Sequence, residues 1–289
     1  MPKQELDMDL QEFRQLLGDA LSEGGSQPLL RLTDEEIAIL DPDSLIECVA
    51  PTPHLEKLSA QEREWAYATA LRSLVSRQAV EIDNIEELDA LVRSAESSTS
   101  ENATTEQPAR GQVDVDMRIT PEVSLALTLR RTAGRALAVE QQTSRGAAHA
   151  FVYIHAEDLY LVERITSGGL HMFTLANHAD DVAELVQLFV DPFDVADKDG
   201  RTQKLTPGQL DEDNLGGPLS EAINNAMVVG QLVLLSDAPG PLLTTYATDE
   251  KVWTVLVEKP DAPTGIEARP VGSSTLRRMI LRLISPTDA

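Results

Sequence analysis

The segment ITPEVSLALTLRRTAGRALAVEQQTSRGAAHAFVYIHAEDLYLVERITSGGLHMFTLANHADDVAELVQLFV, residues 119–190, changes its hydrophobic period twice. Thr120-Pro121-Glu122 opens a helix, because proline at the first helical position gives up no hydrogen bond. The spacing carries that helix to about Arg131. Four strand-like runs follow, at about 135–142, 149–155, 158–166 and 169–175. Gly168-Gly169 reads as the hairpin turn before the last of them. Asn177 is expected to cap a helix over 179–190, with Val182, Leu185, Val186 and Phe189 on one face.

The same order recurs over 217–284. A helix over 218–226 precedes strands near 228–235, 242–247, 251–258 and 265–270. Ser273 or Ser274 is then expected to cap a final helix carrying Leu276, Met279, Ile280, Leu283 and Ile284. The halves share no recognisable identity, so the repeat lies in the pattern of elements. Leu137 with Val139, Val152 with Ile154, and Trp253 with Val255 and Val257 each share a strand face. The gaps between strands are too short for parallel crossovers. The expected fold class is α+β: two quasi-repeated α-β-β-β-β-α modules (119–190 and 217–284) with antiparallel sheets, packed about a pseudo-two-fold axis.

Residues 1–94 read as helical. Leu6, Leu10, Phe13, Leu16, Leu17 and Leu21 line one helix face. Thr33 with Glu36, and Ser59 with Glu62, fit capping boxes. The second box opens a helix over about 60–79, and Ile85, Leu88, Leu91 and Val92 suggest another. Residues 95–118, which include AESSTSENATTEQPARGQVDVD, are too polar to offset the entropy of ordering, so a linker or long loop is expected.

The chain's 24 basic and 48 acidic residues give a net charge of −24. Phosphate recognition needs clustered cations, so nucleic acid and anionic membranes are disfavoured as partners. One cysteine, Cys48, permits no disulfide within the chain, which suits a reducing cytoplasm. The start MPKQELDMDL has no apolar signal region, and no apolar run spans a bilayer. The expected location is therefore cytoplasmic.

Candidate chemistry is thin. His149 and His155 can share a strand face, with His171 on a neighbouring strand, but zinc sites want closer and more regular ligands. Asp191, Asp194, Asp197 and Asp199 before Gly200 resemble a calcium loop, yet Val195 and Thr206 fall where acidic ligands are required. They read instead as a solvated acidic loop. Ser167 and His171 are near in sequence but lack an orienting third group. Gly216-Gly217-Pro218 lacks the lysine of a phosphate loop. Cys48 lies among Leu45, Ile46 and Val49 as a packed thiol. No catalytic residue, metal ligand or cofactor is expected. A rival reading takes Ala66–Ile82 as the third helix and wing of a winged-helix regulator, with Arg63, Arg72 and Arg77 towards DNA. The 20 acidic against 8 basic residues of 1–94 oppose it.

Three passages carry a resemblance: AYATALRSLVSRQAVEI (66–82), ITPEVSLALTLRRTAGRALAVEQQ (119–142) and GIEARPVGSSTLRRMILRLI (265–284). Together with the doubled layout they resemble the EspG family of actinobacterial type VII secretion chaperones. Gln78-Ala79 departs from the usual Gly-Leu. The resemblance implies a non-enzymatic cytosolic chaperone or adaptor for helical secreted substrates of the PE–PPE or WXG type. Such a protein binds its substrate through apolar contact, for which Phe151, Tyr153, Met172 and Phe173 are the candidate protein-binding residues. A homodimer is compatible with the hairpin faces. The alternative function is a transcription regulator with an N-terminal winged helix.

Overall fold

The computed structural model describes residues 17–18, 25–43, 50–82, 117–155, 158–209, 216–237, 240–262 and 265–285. Cys48, residues 95–116 and, Leu17 and Gly18 apart, the helices expected near 6–21 and 85–92 lie outside the described residues. The chain forms two compact units. The first comprises Met1–Gly18, Leu30–Arg131 and Gly168–His171, and the second comprises Asp19–Leu29, Thr132–Ser167 and Met172–Ala289.

The first unit takes its helices from local signals. After β1 (Ser26–Thr33) comes α1 (Asp34–Leu40), then a short 3-10 turn at Leu55–Lys57 and α2 (Ala60–Ser76). Both expected capping boxes form. Thr33 Oγ1 accepts from the Glu36 N–H while Glu36 accepts from the Thr33 N–H at 3.0 Å. Ser59 and Glu62 repeat the exchange at the start of α2. The Ser59 hydrogen bonds hold the Glu62 carboxyl below its usual value. Ile37 and Leu74 are fully buried, and α1 packs on α2. Then β2 (Val80–Ile82) pairs antiparallel with β3 (Met117–Ile119), and α3 (Pro121–Thr132) follows. Val123, Leu125, Ala126, Leu127 and Leu129 of α3 are all buried, so this helix is covered on most sides.

Two expectations need correcting here. Ser26–Thr33 is a strand although 1–94 read as helical. It lies beside a neighbouring strand in a large sheet, and backbone pairing there overrides a sequence with little intrinsic strand preference. Met117 and Arg118, placed in the linker, belong to β3, which finds its partner in β2 far back in the chain.

The end of α2 explains the departure at Gln78. The Gln78 N–H donates to the Val75 carbonyl at 3.0 Å and the Ala79 N–H to the Leu74 carbonyl at 2.9 Å. This is a Schellman closure, which places the residue after the cap in the left-handed region. Gln78 has φ 61°. A side chain there costs roughly 1 kcal/mol that glycine avoids. Gln78→Gly is expected to raise stability by about 1 kcal/mol, and Gln78→Val to lower it further than wild type. Urea denaturation of the three proteins followed by circular dichroism checks the order.

The second unit is built on one sheet of order β1-β7-β6-β5-β4-β9-β10-β11-β12-β8. The strands are β4 (Arg135–Thr143), β5 (Gly146–Ile154), β6 (Tyr160–Ile165), β7 (Leu170–Ala176), β8 (Gln203–Leu205), β9 (Val228–Leu235), β10 (Leu242–Ala247), β11 (Val252–Val257) and β12 (Ile266–Val271). Of β1 and β7, this unit holds Ser26–Leu29 and Met172–Ala176. The helices are α4 (Ala179–Val190), α5 (Pro218–Asn224) and α6 (Ser273–Ile284). The expected elements of both halves are present, in the expected order. The α+β class with antiparallel pairing stands, but the two modules share a single sheet.

Their junction is the antiparallel pairing of β4 with β9, from Ala136↔Leu235 to Thr143↔Val228. A dyad through the middle of this ladder, between Val139↔Leu232 and Glu140↔Gln231, exchanges the halves. α4 and α6 obey it too. Gln187 Nε2 donates to Ser273 Oγ at 2.7 Å and Arg277 donates to Glu184 at 2.6 Å, so the helices run antiparallel. Their buried faces, Val182, Val186, Phe189 and Leu276, Ile280, Leu283, meet Leu137, Val139, Val152, Ile154 and Leu232 in one core. The opposite face of β11 and β12 carries Trp253, Val255 and Val257 beneath Leu219 and Ala222 of α5. No helix among the described residues is long and apolar enough to cross a membrane.

Helix starts depart from expectation. α4 begins after His178 with no side-chain cap. Asn177 is not the cap, and its Oδ1 has no partner among the described residues. Neither Ser273 nor Ser274 caps α6, which begins after Gly272. The capping comes from afar: Asp199 accepts from the Gly272 N–H at 2.9 Å and from the Thr275 hydroxyl at 2.8 Å.

Candidate functional site

The densest polar arrangement lies in the first unit, around α1. Asp34 and Glu36 in its first turn and Asp41 just past its end are at most 3% exposed. Burying a carboxylate costs several kcal/mol unless it is paired and bonded, and each of these is. Asp34 Oδ1 lies 2.7 Å from His171 Nε2, and Oδ2 accepts from the N–H groups of His54 at 2.7 Å and Leu55 at 3.1 Å. Its own N–H donates to the Gly169 carbonyl. Glu36 adds Ser73 and Arg77 to its capping bond. Asp41 meets Arg131. Glu35 lies 3.3 Å from His54 Nε2.

Gly169 closes this cluster. It has φ 75°, and a Cβ there would stand 2.7 Å from Asp34 Cγ and from His54 Cβ. The hairpin turn expected at Gly168-Gly169 is present, and Asp34 demands glycine in it. His171 and Asp34 are both fully buried. An aspartate–histidine pair sealed from solvent holds elements together. Asp34→Ala leaves His171 and two backbone donors without their acceptor, and is expected to cost on the order of 3 kcal/mol. Gly169→Ala is expected to be as damaging. Chemical denaturation measures both.

Phe151, Tyr153 and Phe173, three of the candidate binding residues, are internal, at 5%, 2% and 1% exposure. Met172 is half-buried. The Phe151 and Tyr153 rings stack 6.3 Å apart, opposite the small side chains of Ala138 and Ala136 on β4. Tyr153 donates to the buried Glu163 carboxylate at 2.5 Å. These residues pack the free chain. Among the described residues, the large apolar side chains left exposed are others: Trp65 in the first unit, and Leu188, Phe193 and Met227 in the second. A sequence shows no difference between Leu188 and the buried Val182, Val186 and Phe189 except its place on the helix wheel.

The aspartate run is only partly solvated. Asp191 is 2% exposed and accepts from the Val195 and Ala196 N–H groups, which folds the chain back after α4. Asp199 serves α6. Among the described residues, no group of three histidine, cysteine or acidic side chains is placed to hold a metal ion. A cleft of about 590 Å³ beside the start of α6 is lined by Asp197, Lys198, Asp199, Ser273 and Arg277. Its cations are neutralised, Lys198 by Asp197 and Arg277 by Glu184. Asp199 already occupies the helix terminus where an anion would bind.

The hydrogen bonds from Gly272 and Thr275 hold the Asp199 carboxyl below its ordinary value of 3.8. A carboxylate with a lowered folded value stabilises the fold above the unfolded value, and that contribution is lost as pH falls through the folded one. Asp199→Asn is therefore expected to destabilise the protein at neutral pH and to flatten the decline of stability below about pH 4. Thermal melts from pH 7 to pH 3 on both proteins check this.

No protein-family model matches the chain, and no curated protein matches it in sequence.

Proposed function

We propose that this chain is a non-enzymatic, protein-binding chaperone or adaptor for helical secreted substrates, of the kind that type VII secretion exports as PE–PPE or WXG-like pairs. The observation that carries the reading is the doubled layout. Two four-stranded halves and their trailing helices are exchanged by a dyad through the β4–β9 ladder, which is the arrangement that the EspG resemblance implies. The left-handed backbone at Gln78 adds support, since it occurs where that family's pattern has glycine. Apolar side chains available for substrate contact are Trp65, Leu188, Phe193 and Met227, not the aromatics internal to the sheet.

The winged-helix alternative has one observation in its favour: α2 leads into the two-stranded β2–β3 sheet. Two of its three proposed DNA-facing arginines are otherwise employed, while Arg72 is exposed. Arg63 Nε donates to the Leu55 and Leu58 carbonyls, and Arg77 holds Glu36 and the Arg31 carbonyl. Glu56, Glu62 and Glu64 are exposed close by in sequence. A phosphate backbone would meet repulsion on this helix.

Co-expression of the tagged chain with a two-helix secreted pair from its own genome tests the proposal. The expected outcome is co-purification of the pair in a defined ratio, lost on Trp65→Glu or Phe193→Glu with the melting temperature kept. Failure to retain any such pair, together with salt-sensitive retention on duplex DNA, overturns the reading in favour of a regulator.

A further inference from the structure

α4 and α6 lie side by side, related by the internal dyad, yet their charges are opposite. α4 (ADDVAELVQLFV) carries Asp180, Asp181 and Glu184 and no cation, while α6 (SSTLRRMILRLI) carries Arg277, Arg278 and Arg282 and no anion. One pair, Arg277 with Glu184, is satisfied across the contact between the helices. Arg282 reaches Glu258. Asp180 and Arg278 are exposed, and neither they nor Asp181 form an ion pair among the described residues. Helix dipoles account for acids at the start of α4 and for Arg282 at the end of α6. They do not account for Arg277 and Arg278, which stand beyond the first turn of α6, where the dipole effect has fallen off.

We infer that the outer faces of α4 and α6 form the interface of a homodimer, the acidic helix of each copy lying on the basic helix of the other. Two-fold interfaces are self-complementary, and the charges select one axis. A dyad perpendicular to the helices would lay α4 on α4 and bring like charges together. A dyad parallel to them lays α4 on the partner's α6, antiparallel, and repeats the register of the intrachain pair. That register, set by Glu184 with Arg277 and Gln187 with Ser273, puts Asp180 and Asp181 over Arg278 and Arg282. Each copy carries −24, so approach by most other faces is repulsive. Leu188, exposed at 56%, adds apolar area at one end of the face.

Helices of 12 residues are about 18 Å long, and a pair about 10 Å apart presents on the order of 400 Å² per copy. That is below the usual size of a stable interface and fits a weak, reversible dimer. This inference is independent of the chaperone reading.

Sedimentation velocity of the full chain over a range of micromolar concentrations tests it. Wild type is expected to dimerise reversibly. Asp180→Lys with Asp181→Lys, and separately Arg278→Glu with Arg282→Glu, are each expected to be monomeric. An equimolar mixture of the two variants is expected to restore the dimer, because both contacts are then complementary again. Circular dichroism checks that each variant is folded. If the arginine double variant unfolds through loss of the Glu258 pair, Arg278→Glu alone carries the test. A monomeric wild type, a reversed variant that still dimerises, or a mixture of folded variants that stays monomeric overturns the proposal.

Discussion

The antiparallel ladder between β4 and β9 is the contact on which the second unit depends. Each half supplies a four-stranded meander and one trailing helix, too little to bury its own apolar face well. Joined edge to edge, the halves form a continuous surface broad enough to seat α4 and α6 together. Gly230 shows how closely the pieces fit there. A side chain at this point of β9 would strike Thr245 Oγ1 at 2.4 Å and Val190 at 3.0 Å. The pairing thus fixes both the strand register and the seat of the helix above it.

The first unit follows a different principle. Its organising groups are ionised or polar: the carboxylates of α1, each bound by two or more donors or by a basic side chain. Such a network adds little net stability compared with an apolar core, but it tolerates few alternatives, since breaking any member strands a buried charge. Arg77 illustrates the point. A side chain read as a DNA contact serves to neutralise Glu36 and to hold the Arg31 carbonyl.

Much of the fold was legible because its signals are local. Alternating faces such as Val152 with Ile154, the proline opening α3, and the two capping boxes depend only on near neighbours. What escaped depends on distant ones. Ser26–Thr33 becomes a strand through a neighbour more than a hundred residues on, and β3 through β2. Asp199 caps a helix 73 residues ahead of it, so the nearby serines misled. The candidate site was less legible still. Phe151, Tyr153 and Phe173 look the same in a sequence whether they face a partner or the interior, and exposure depends on what covers them. Asp191, read as part of a solvated loop, is buried for the same reason.

The two outermost strands of the large sheet have a bearing on how the molecule behaves when crowded. β8 is three residues long and presents Lys204 to solvent, and β1 carries the exposed Pro28, which offers no amide proton. A ten-stranded sheet is otherwise a template on which a further chain can add itself strand by strand. With one border cut short and charged and the other interrupted by an imino acid, each copy resists being extended into a fibre.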